Sequence, residues 1–330
     1  MPSRFACLSA LTFAALLPFW AGCNEQNRAA PSRINSATGT PAVTVVSADS
    51  AGVSTGAITS DPATPVVSYG DAEAAFGRGR YTEAAQLFGS FTEANPDNAW
   101  GHYMLGLAAW KAGEHERALE GFDQALRLDP SHRKSLFNSA RVLLDTRRPK
   151  EGLERIEKAL AIEPLSAEGL RLLARARHEM GQVPEAIEGY QRAIALDDRD
   201  AWAMNNLGLI YIQQGRYDTA LPPLARAVEL RANAPVFQNN LGTALERSGH
   251  IAAARRAYEA VLAVDSSYSK ASVALTRITG LGDQVADSAV DISALSREFQ
   301  QEIAQWQDST AASDSTTVGL TVEDSAGEGM

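Results

Sequence analysis

The chain has 330 residues and a net charge of −10 at neutral pH, from 30 basic and 40 acidic side chains. Ten acidic residues and a single basic one, Arg297, fall in 281–330, whereas 65–280 holds 27 acidic and 26 basic residues. A nearly neutral domain with an acidic tail lacks the basic surface that nucleic acids require, so we expect no nucleic-acid partner.

The N-terminus has the pattern of an export signal. Arg4 precedes an apolar stretch, 5–19, which is shorter than the ~20 residues of a membrane-spanning helix. The stretch ends in small residues before Cys23, which resembles the cleavage box of bacterial lipoproteins, although Trp20 stands where that family prefers leucine. The resemblance implies a signal peptide over 1–22, a lipid on Cys23 and export to the bacterial envelope. An ordinary signal peptide or an uncleaved anchor is the alternative.

Residues 23–64 follow as a linker rich in Ala, Ser, Thr, Pro and Gly. Such a composition cannot bury enough apolar surface to fold, so we expect a flexible tether with a typical reach of about 35 Å. Asn24 differs from the aspartate that keeps some lipoproteins at the inner membrane, which favours the outer membrane, facing the periplasm.

Residues 65–268 repeat with a period of 34. A Leu-Gly pair, in which the glycine is the small residue, recurs at Leu105-Gly106, Leu207-Gly208 and Leu241-Gly242. A column of large residues contains Phe88, Phe122, Ile156, Tyr190, Leu224 and Tyr258. A column of glycines contains Gly79, Gly113, Gly181, Gly215 and Gly249, with Arg147 in the remaining repeat. Prolines close the repeats at Pro96, Pro130 and Pro164. The small residues suit close helix contacts, and the glycines suit turns with positive φ.

These columns resemble the tetratricopeptide repeat, in which each unit is a helical hairpin. The resemblance implies an all-α fold, a right-handed superhelix (TPR solenoid) over 65–280. Its repeats are 65–98, 99–132, 133–166, 167–200, 201–234 and 235–268, followed by a capping helix at 269–280. Pro222-Pro223 interrupts the second helix of the fifth repeat, where we expect a kink or a late helix start.

The acidic tail, 281–330, contains one amphipathic segment at about 290–307. Its apolar residues have helical spacing and are Ile292, Leu295, Phe299, Ile303 and Trp306. We expect this helix to dock on the repeats of its own chain, either as a cap or inside the groove as a plug. Dimerisation through the stripe and binding to a membrane surface are the alternatives.

The resemblance also implies a concave groove lined by the first helix of each hairpin. The side chains that would line it are Tyr69, Phe76, Trp100, Tyr103, Trp110, Lys134, Phe137, Asn138, Arg141, Arg171, Arg175, His178, Trp202, Asn205, Asn206, Asn239 and Asn240. An aromatic end, a basic middle and an amide end would suit a peptide that carries carboxylates. Alternatively, the aromatic residues pack between repeats, the arginines pair with Glu168 and Glu179, and the asparagines only follow the family pattern.

No catalytic constellation is recognisable, since the five histidines are scattered and the repeats contain no cysteine. We therefore expect no enzyme activity, no cofactor and no metal. The sequence favours a non-catalytic scaffold that binds other envelope proteins or peptide segments. One alternative is a glycan-binding module that uses Trp100, Trp110 and Trp202; another is a purely structural spacer.

Overall fold

The computed structural model describes residues 68–280 and 289–320, and side-chain surroundings are described up to residue 308. The expected signal peptide, Cys23 and the linker to residue 64 lie outside the described residues. Fourteen helices and no strand occur in the described ranges. None of these helices combines the length and the apolar character needed to cross a membrane.

The first thirteen helices alternate between the first and second helix of a hairpin and end with one additional helix. They are α1 (Tyr69–Gly77), α2 (Tyr81–Ala94), α3 (Ala99–Ala112), α4 (His115–Leu128), α5 (Arg133–Asp145), α6 (Pro149–Ile162), α7 (Ala167–Glu179), α8 (Val183–Leu196), α9 (Ala201–Gln213), α10 (Tyr217–Leu230), α11 (Pro235–Arg247), α12 (Ile251–Val264) and α13 (Ser269–Thr279). Each helix packs mainly against its neighbours in sequence. This arrangement confirms the predicted all-α solenoid of six hairpins with a capping helix.

Capping side chains start several of the first helices. Ser68, Asn98, Ser166 and Asp200 each accept a hydrogen bond from a backbone N–H in the first turn of the helix that follows. Such a bond satisfies a donor that the helix itself leaves unpaired. The caps therefore help to set where α1, α3, α7 and α9 begin.

Inside each hairpin, a small residue on the first helix faces a large one on the second. A Cβ added to Gly106 would lie 2.7 Å from the ring of Phe122, and one added to Gly208 would lie 2.5 Å from Leu224. All six large residues of the predicted column are at most 1% exposed. The two columns found in the sequence are therefore the two sides of one core contact.

The turn inside each hairpin needs a residue with positive φ. Gly79, Gly113, Gly181, Gly215 and Gly249 supply it in five repeats, with φ between 73° and 85°. Arg147 adopts φ 63° at the same place in the third repeat. The turn of the third repeat thus has the same backbone conformation as the others although it contains no glycine. For a residue with a Cβ, this left-handed conformation costs roughly 1–2 kcal/mol.

The expected late start of the fifth repeat's second helix is wrong. Helix α10 begins at Tyr217 and contains Pro222 and Pro223 within one continuous helix. Proline removes a backbone donor and disfavours the helix interior. Packing of α10 against α9, α11 and a further helix offsets this local preference.

That further helix is α14 (Ile292–Leu320), which includes the amphipathic segment expected at 290–307. It packs against α10 and α8, both of which are second helices. The segment therefore docks on the repeats of its own chain, but neither as a cap at the end of the stack nor as a plug on the first helices. The physical reason is that α10 presents an apolar outer face, as detailed below.

Candidate functional site

The residues predicted to line the groove all belong to first helices. They lie on α1, α3, α5, α7, α9 and α11, and we call this face the first-helix surface. Several of these side chains contribute to packing more than to the accessible surface, since they are at most 9% exposed: Tyr103, Phe137, Asn138, Asn205, Asn206 and Asn239. Along the stack, the predicted residues divide into an aromatic end, a middle with arginines and an amide end.

At the aromatic end, Trp100 stands at the centre of a cluster with Tyr69, Tyr103 and His132. Its Nε1–H donates to the Tyr69 hydroxyl at 2.6 Å, and its ring centroid lies 4.9 Å from that of Tyr103. Lys134 Nζ lies 5.1 Å from the centroid of the Trp100 ring, within the range of a cation–π contact. Trp100 is 43% exposed, so the cluster presents an aromatic face and a cation to solvent.

His132 belongs to this cluster but was not predicted from the sequence. Its ring centroid lies 5.0 Å from that of Tyr103, and its Nδ1 accepts a hydrogen bond from the Ser135 N–H at the start of α5. Burial lowers the pKa of His132, although Asp129 acts in the opposite direction. The sequence feature that could have indicated this role is the position of His132 directly before a predicted helix, because the side chain of an N-cap residue points back over the first turn.

Phe76 and Trp110 do not join the Trp100 cluster through ring contacts. Phe76 packs edge-on against Tyr81 at 5.3 Å, and Trp110 has Lys111 Nζ 5.2 Å from its ring centroid. Both aromatic side chains are half-buried. The predicted aromatic shelf is therefore concentrated around Trp100.

The arginines in the middle are paired with carboxylates of the protein itself. Arg171 Nε lies 2.7 Å from Asp200 Oδ2, and Arg141 is bound to Glu168. Asp200 also caps α9 through its other oxygen, Oδ1, which accepts from two backbone N–H groups at 3.1 Å. These contacts join α5 to α7 and α7 to the N-terminus of α9, so Arg141 and Arg171 connect neighbouring first helices as well as lining their surface.

Arg175 forms the most buried of these ion pairs. It lies 2.9 Å from both Asp145 and Glu179, and the three side chains are 12%, 4% and 5% exposed, respectively. Burial raises the pKa of Glu179, while Arg175 lowers it. The middle of the surface was predicted to be basic because of its arginines, but the carboxylates that pair with them neutralise this charge. Lys134, by contrast, is exposed beside Trp100.

At the amide end, the asparagines bind one another. Asn240 Nδ2 donates to Asn205 Oδ1 at 2.9 Å, and Asn205 Nδ2 donates to Asn206 Oδ1 at 3.3 Å. Trp202 packs its ring edge-to-face against Phe237 at 4.7 Å. Asn239 is 9% exposed. Much of the hydrogen-bonding capacity at this end is therefore used between α9 and α11.

Stacking on an apolar or aromatic group and pairing with a carboxylate are the two interactions that the Trp100–Lys134 region offers. Across residues 68–280 and 289–308, no group of three or more His, Cys, Asp or Glu side chains is arranged to hold a metal ion.

Solved structures with the same architecture are numerous. Residues 41 to the end of MamA from Desulfovibrio magneticus RS-1 are 25% identical and match 49% of this chain and 92% of theirs, with a TM-score of 0.45. A tetratricopeptide repeat protein from Parabacteroides merdae ATCC 43184 is 14% identical over 66% of this chain and 87% of its own, with a TM-score of 0.57. The APC/C hetero-tetramer Cut9–Hcn1 contains a chain with 18% identity, 63% and 41% coverage and a TM-score of 0.57. The likeness to the last two shows a shared fold.

A search among curated proteins found no match. Family models, in contrast, match almost all of the repeats. The model described as TPR repeat matches 174–215, and three models described as Tetratricopeptide repeat match 69–133 with 239–278, 109–176, and 201–234. Together these matches cover more than half of the chain, over the hairpins that the structure shows. The chain therefore belongs to the tetratricopeptide-repeat family.

Proposed function

We propose that this protein is a non-catalytic scaffold that holds a segment of another protein on its first-helix surface. The family and the stacked hairpins support the general role of a protein-interaction scaffold. One observation carries the choice of site: Trp100 is 43% exposed while its edges are held by Tyr69 and Tyr103. An aromatic side chain fixed in this way loses little entropy on binding, which is typical of interface hot spots.

Lys134 defines the chemistry of the partner. Its ammonium lies over the Trp100 ring and is exposed, whereas Arg141, Arg171 and Arg175 are bound to carboxylates of the chain. A segment with an apolar residue next to an acidic residue would use both groups. The acidic part of the ligand thus depends on Lys134 more than on the arginines.

Crosslinked capture of partners from the native bacterial envelope tests this site. Trp100→Ala and Lys134→Glu should each reduce the recovered partner several-fold, and added salt should weaken the Lys134-dependent part. Val273→Ala is the matched control, because Val273 is 63% exposed and lies on the capping helix α13, outside the repeats that carry the cluster. Capture that is unchanged by both site variants, with far-UV circular dichroism showing intact helices, would remove the first-helix surface from the proposal.

Attachment to a membrane through Cys23 is the second part of the proposal, supported by the N-terminal sequence alone. Outer-membrane attachment, facing the periplasm, is the form that fits Asn24. Metabolic labelling with an alkyne fatty acid should mark the wild-type chain and the Cys7→Ser variant but not Cys23→Ser. Label retained in Cys23→Ser would refute lipidation at this residue, and separating inner from outer membranes would decide which one holds the protein.

Glycan binding remains a second candidate because Trp100 offers an exposed ring. The other two tryptophans considered for glycan binding, Trp110 and Trp202, are half-buried. A glycan stacked on Trp100 would be lost in Trp100→Ala but would be insensitive to salt and to Lys134→Glu. The same pair of variants therefore separates the two functions on glycan arrays.

A further inference from the structure

Helix α14 occupies a defined seat on the second helices of the fourth and fifth repeats. Phe299 and Ile303, one turn apart, are 1% and 3% exposed and belong to the same buried cluster as residues of α8 and α10. Ser296, which is 2% exposed, donates to the Glu229 carboxylate on α10. Gln307 Nε2 donates to the backbone oxygen of Ala195 on α8 at 3.0 Å. Apolar burial and hydrogen bonds thus place one helix across two repeats.

The outer face of α10 departs from the pattern of the other repeats where α14 lies. Pro222 stands at a position where four other repeats carry Glu120, Glu154, Glu188 and Arg256. Ala225, 1% exposed, stands where three others carry Asp123, Glu157 and Glu259. These charged counterparts are exposed or half-buried, and all except Glu188 of α8 lie on helices other than the two that α14 packs against. At these two positions the fifth repeat therefore has apolar residues in place of the charged residues that other repeats carry on this face.

The resident helix is an imperfect match for this seat. The Glu302 side chain is half-buried, and no cation in the described ranges lies within ion-pair distance of it. Burial raises the pKa of Glu302, and the charge of Glu298 raises it further. Ionised Glu302 therefore weakens the docking of α14 at neutral pH. A helix with a neutral residue at this place would lose less hydration on binding.

We propose that the α8–α10 seat is a docking site for an amphipathic helix of a partner protein and that α14 is its resident, displaceable competitor. The partner helix would carry an aromatic and a branched aliphatic residue one turn apart, like Phe299 and Ile303. It would be neutral at the place of Glu302. The site lies on second helices, so it does not depend on the proposed use of the first-helix surface.

A partner helix fits this seat better than a second copy of the chain does. The chain's own α14 is tethered, and the effective concentration of a tethered segment is often near a millimolar. The identical α14 of a second copy cannot compete with it when the protein concentration in solution is below that value. Only a helix with better complementarity can displace the resident one. A helix that replaces α14 must therefore differ from it in sequence and bind the seat with higher affinity.

The experiment measures binding of a fluorescein-labelled peptide, residues 290–308 with Glu302→Gln, by fluorescence anisotropy. The wild-type full chain is compared with a full chain that carries Phe299→Asp and Ile303→Asp, which releases α14. The released chain should bind the peptide at least about tenfold more tightly, because its seat is no longer occupied. The unmodified peptide should bind the released chain more weakly than the Glu302→Gln peptide.

Ala225→Glu, added to the released chain, is the matched control. It introduces the residue type that α6 and α12 carry at this position, at Glu157 and Glu259, so α10 should remain helical while the seat closes. Peptide binding should then be lost. Equal affinity for wild-type and released chains, no binding to the released chain, or binding that survives Ala225→Glu would each overturn the proposal. Concentration-dependent dimerisation of the wild-type chain that Ala225→Glu abolishes would also overturn it, by assigning the seat to a second copy.

Discussion

Single residues on the first-helix surface tie consecutive repeats together. Arg175, on α7, lies 2.9 Å from Asp145 at the end of α5 and 2.9 Å from Glu179 one turn along its own helix. All three side chains are largely buried, and the positive charge of Arg147 also lowers the pKa of Glu179. Two carboxylates thus rely on a guanidinium in a place that water hardly reaches, where loss of one partner is costly.

We predict that Arg175→Ala lowers the free energy of unfolding by roughly 3 kcal/mol. Burial already raises the pKa of Glu179, and the substitution removes the first of the influences that lower it. A raised pKa in the folded state means that folding favours the protonated carboxyl, so stability is gained as the pH falls through that pKa. The deficit should therefore shrink as the pH is lowered from neutral towards the ordinary pKa of glutamate, about 4.3, measured by urea unfolding at each pH.

Arg192→Ala is the control for this prediction. Arg192 is exposed on α8, so its removal should change the free energy of unfolding by less than about 0.5 kcal/mol. A deficit in Arg175→Ala that stays constant over the whole pH range would show that lost packing, rather than the buried carboxylates, is responsible.

The sequence predicted which residues face this surface, and the alternative that Glu168 and Glu179 pair with the arginines is confirmed, but the pairs with Asp145 and Asp200 were not predicted. A period of 34 places equivalent residues on one face of successive helices. The pairs themselves join residues 29 apart for Arg171 and Asp200, 30 apart for Arg175 and Asp145, and 27 apart for Arg141 and Glu168. These separations depend on the offset between neighbouring hairpins, which is a property of the packing.

At the scale of helices, the contact between α3 and α4 shows how closely two elements of one hairpin approach. A Cβ added to Gly121 would lie 2.6 Å from the backbone nitrogen of Gly106 and 2.8 Å from its Cα. Backbone atoms cannot rotate away as the end of a side chain can. The two glycines therefore set the distance between these helices.

We predict that Gly121→Ala destabilises the protein by about 1–3 kcal/mol, because α3 and α4 must separate to admit the methyl group. Thermal unfolding followed by far-UV circular dichroism measures the effect. Gly77→Ala is the matched control: a Cβ at Gly77, the last residue of α1, meets no heavy atom within 4 Å. The control should be neutral or slightly stabilising, since alanine favours helix by up to about 1 kcal/mol. Equal losses in both variants would contradict the argument.

Periodicity predicted the hairpins well because each hairpin obeys local rules: a close helix contact, a large residue beside it and a turn. At α10 a kink or a late start was expected from Pro222 and Pro223, and the late start does not occur. The reason lies outside the repeat, since α14 covers this helix. Pro222 and Ala225 are uncharged at positions where several other repeats carry charged residues, which indicates that this face of α10 is covered. The difference is visible only when the repeats are compared position by position.

At the scale of the whole molecule, the described core divides along the solenoid. One buried cluster runs from Ala72 to Leu143, a second from Leu126 to Ala176, and a third from Leu170 to Ile303. Phe299 and Ile303 of α14 belong to the third. Because stability in repeat proteins is largely a sum of units and nearest-neighbour contacts, α14 should strengthen the C-terminal repeats more than the N-terminal ones.

We therefore predict that Phe299→Asp with Ile303→Asp accelerates amide hydrogen exchange in α8 and α10 by about tenfold and leaves α1 to α4 unchanged. The two buried aspartates would expel α14 from its seat, so the helices beneath lose a packing partner while distant repeats keep theirs. Ala304→Asp is the control, since Ala304 is exposed on the same helix and should leave the docking intact. If exchange rose equally in α3 and α10, the solenoid would unfold as one cooperative unit, and α14 would stabilise all of it rather than the repeats that it touches.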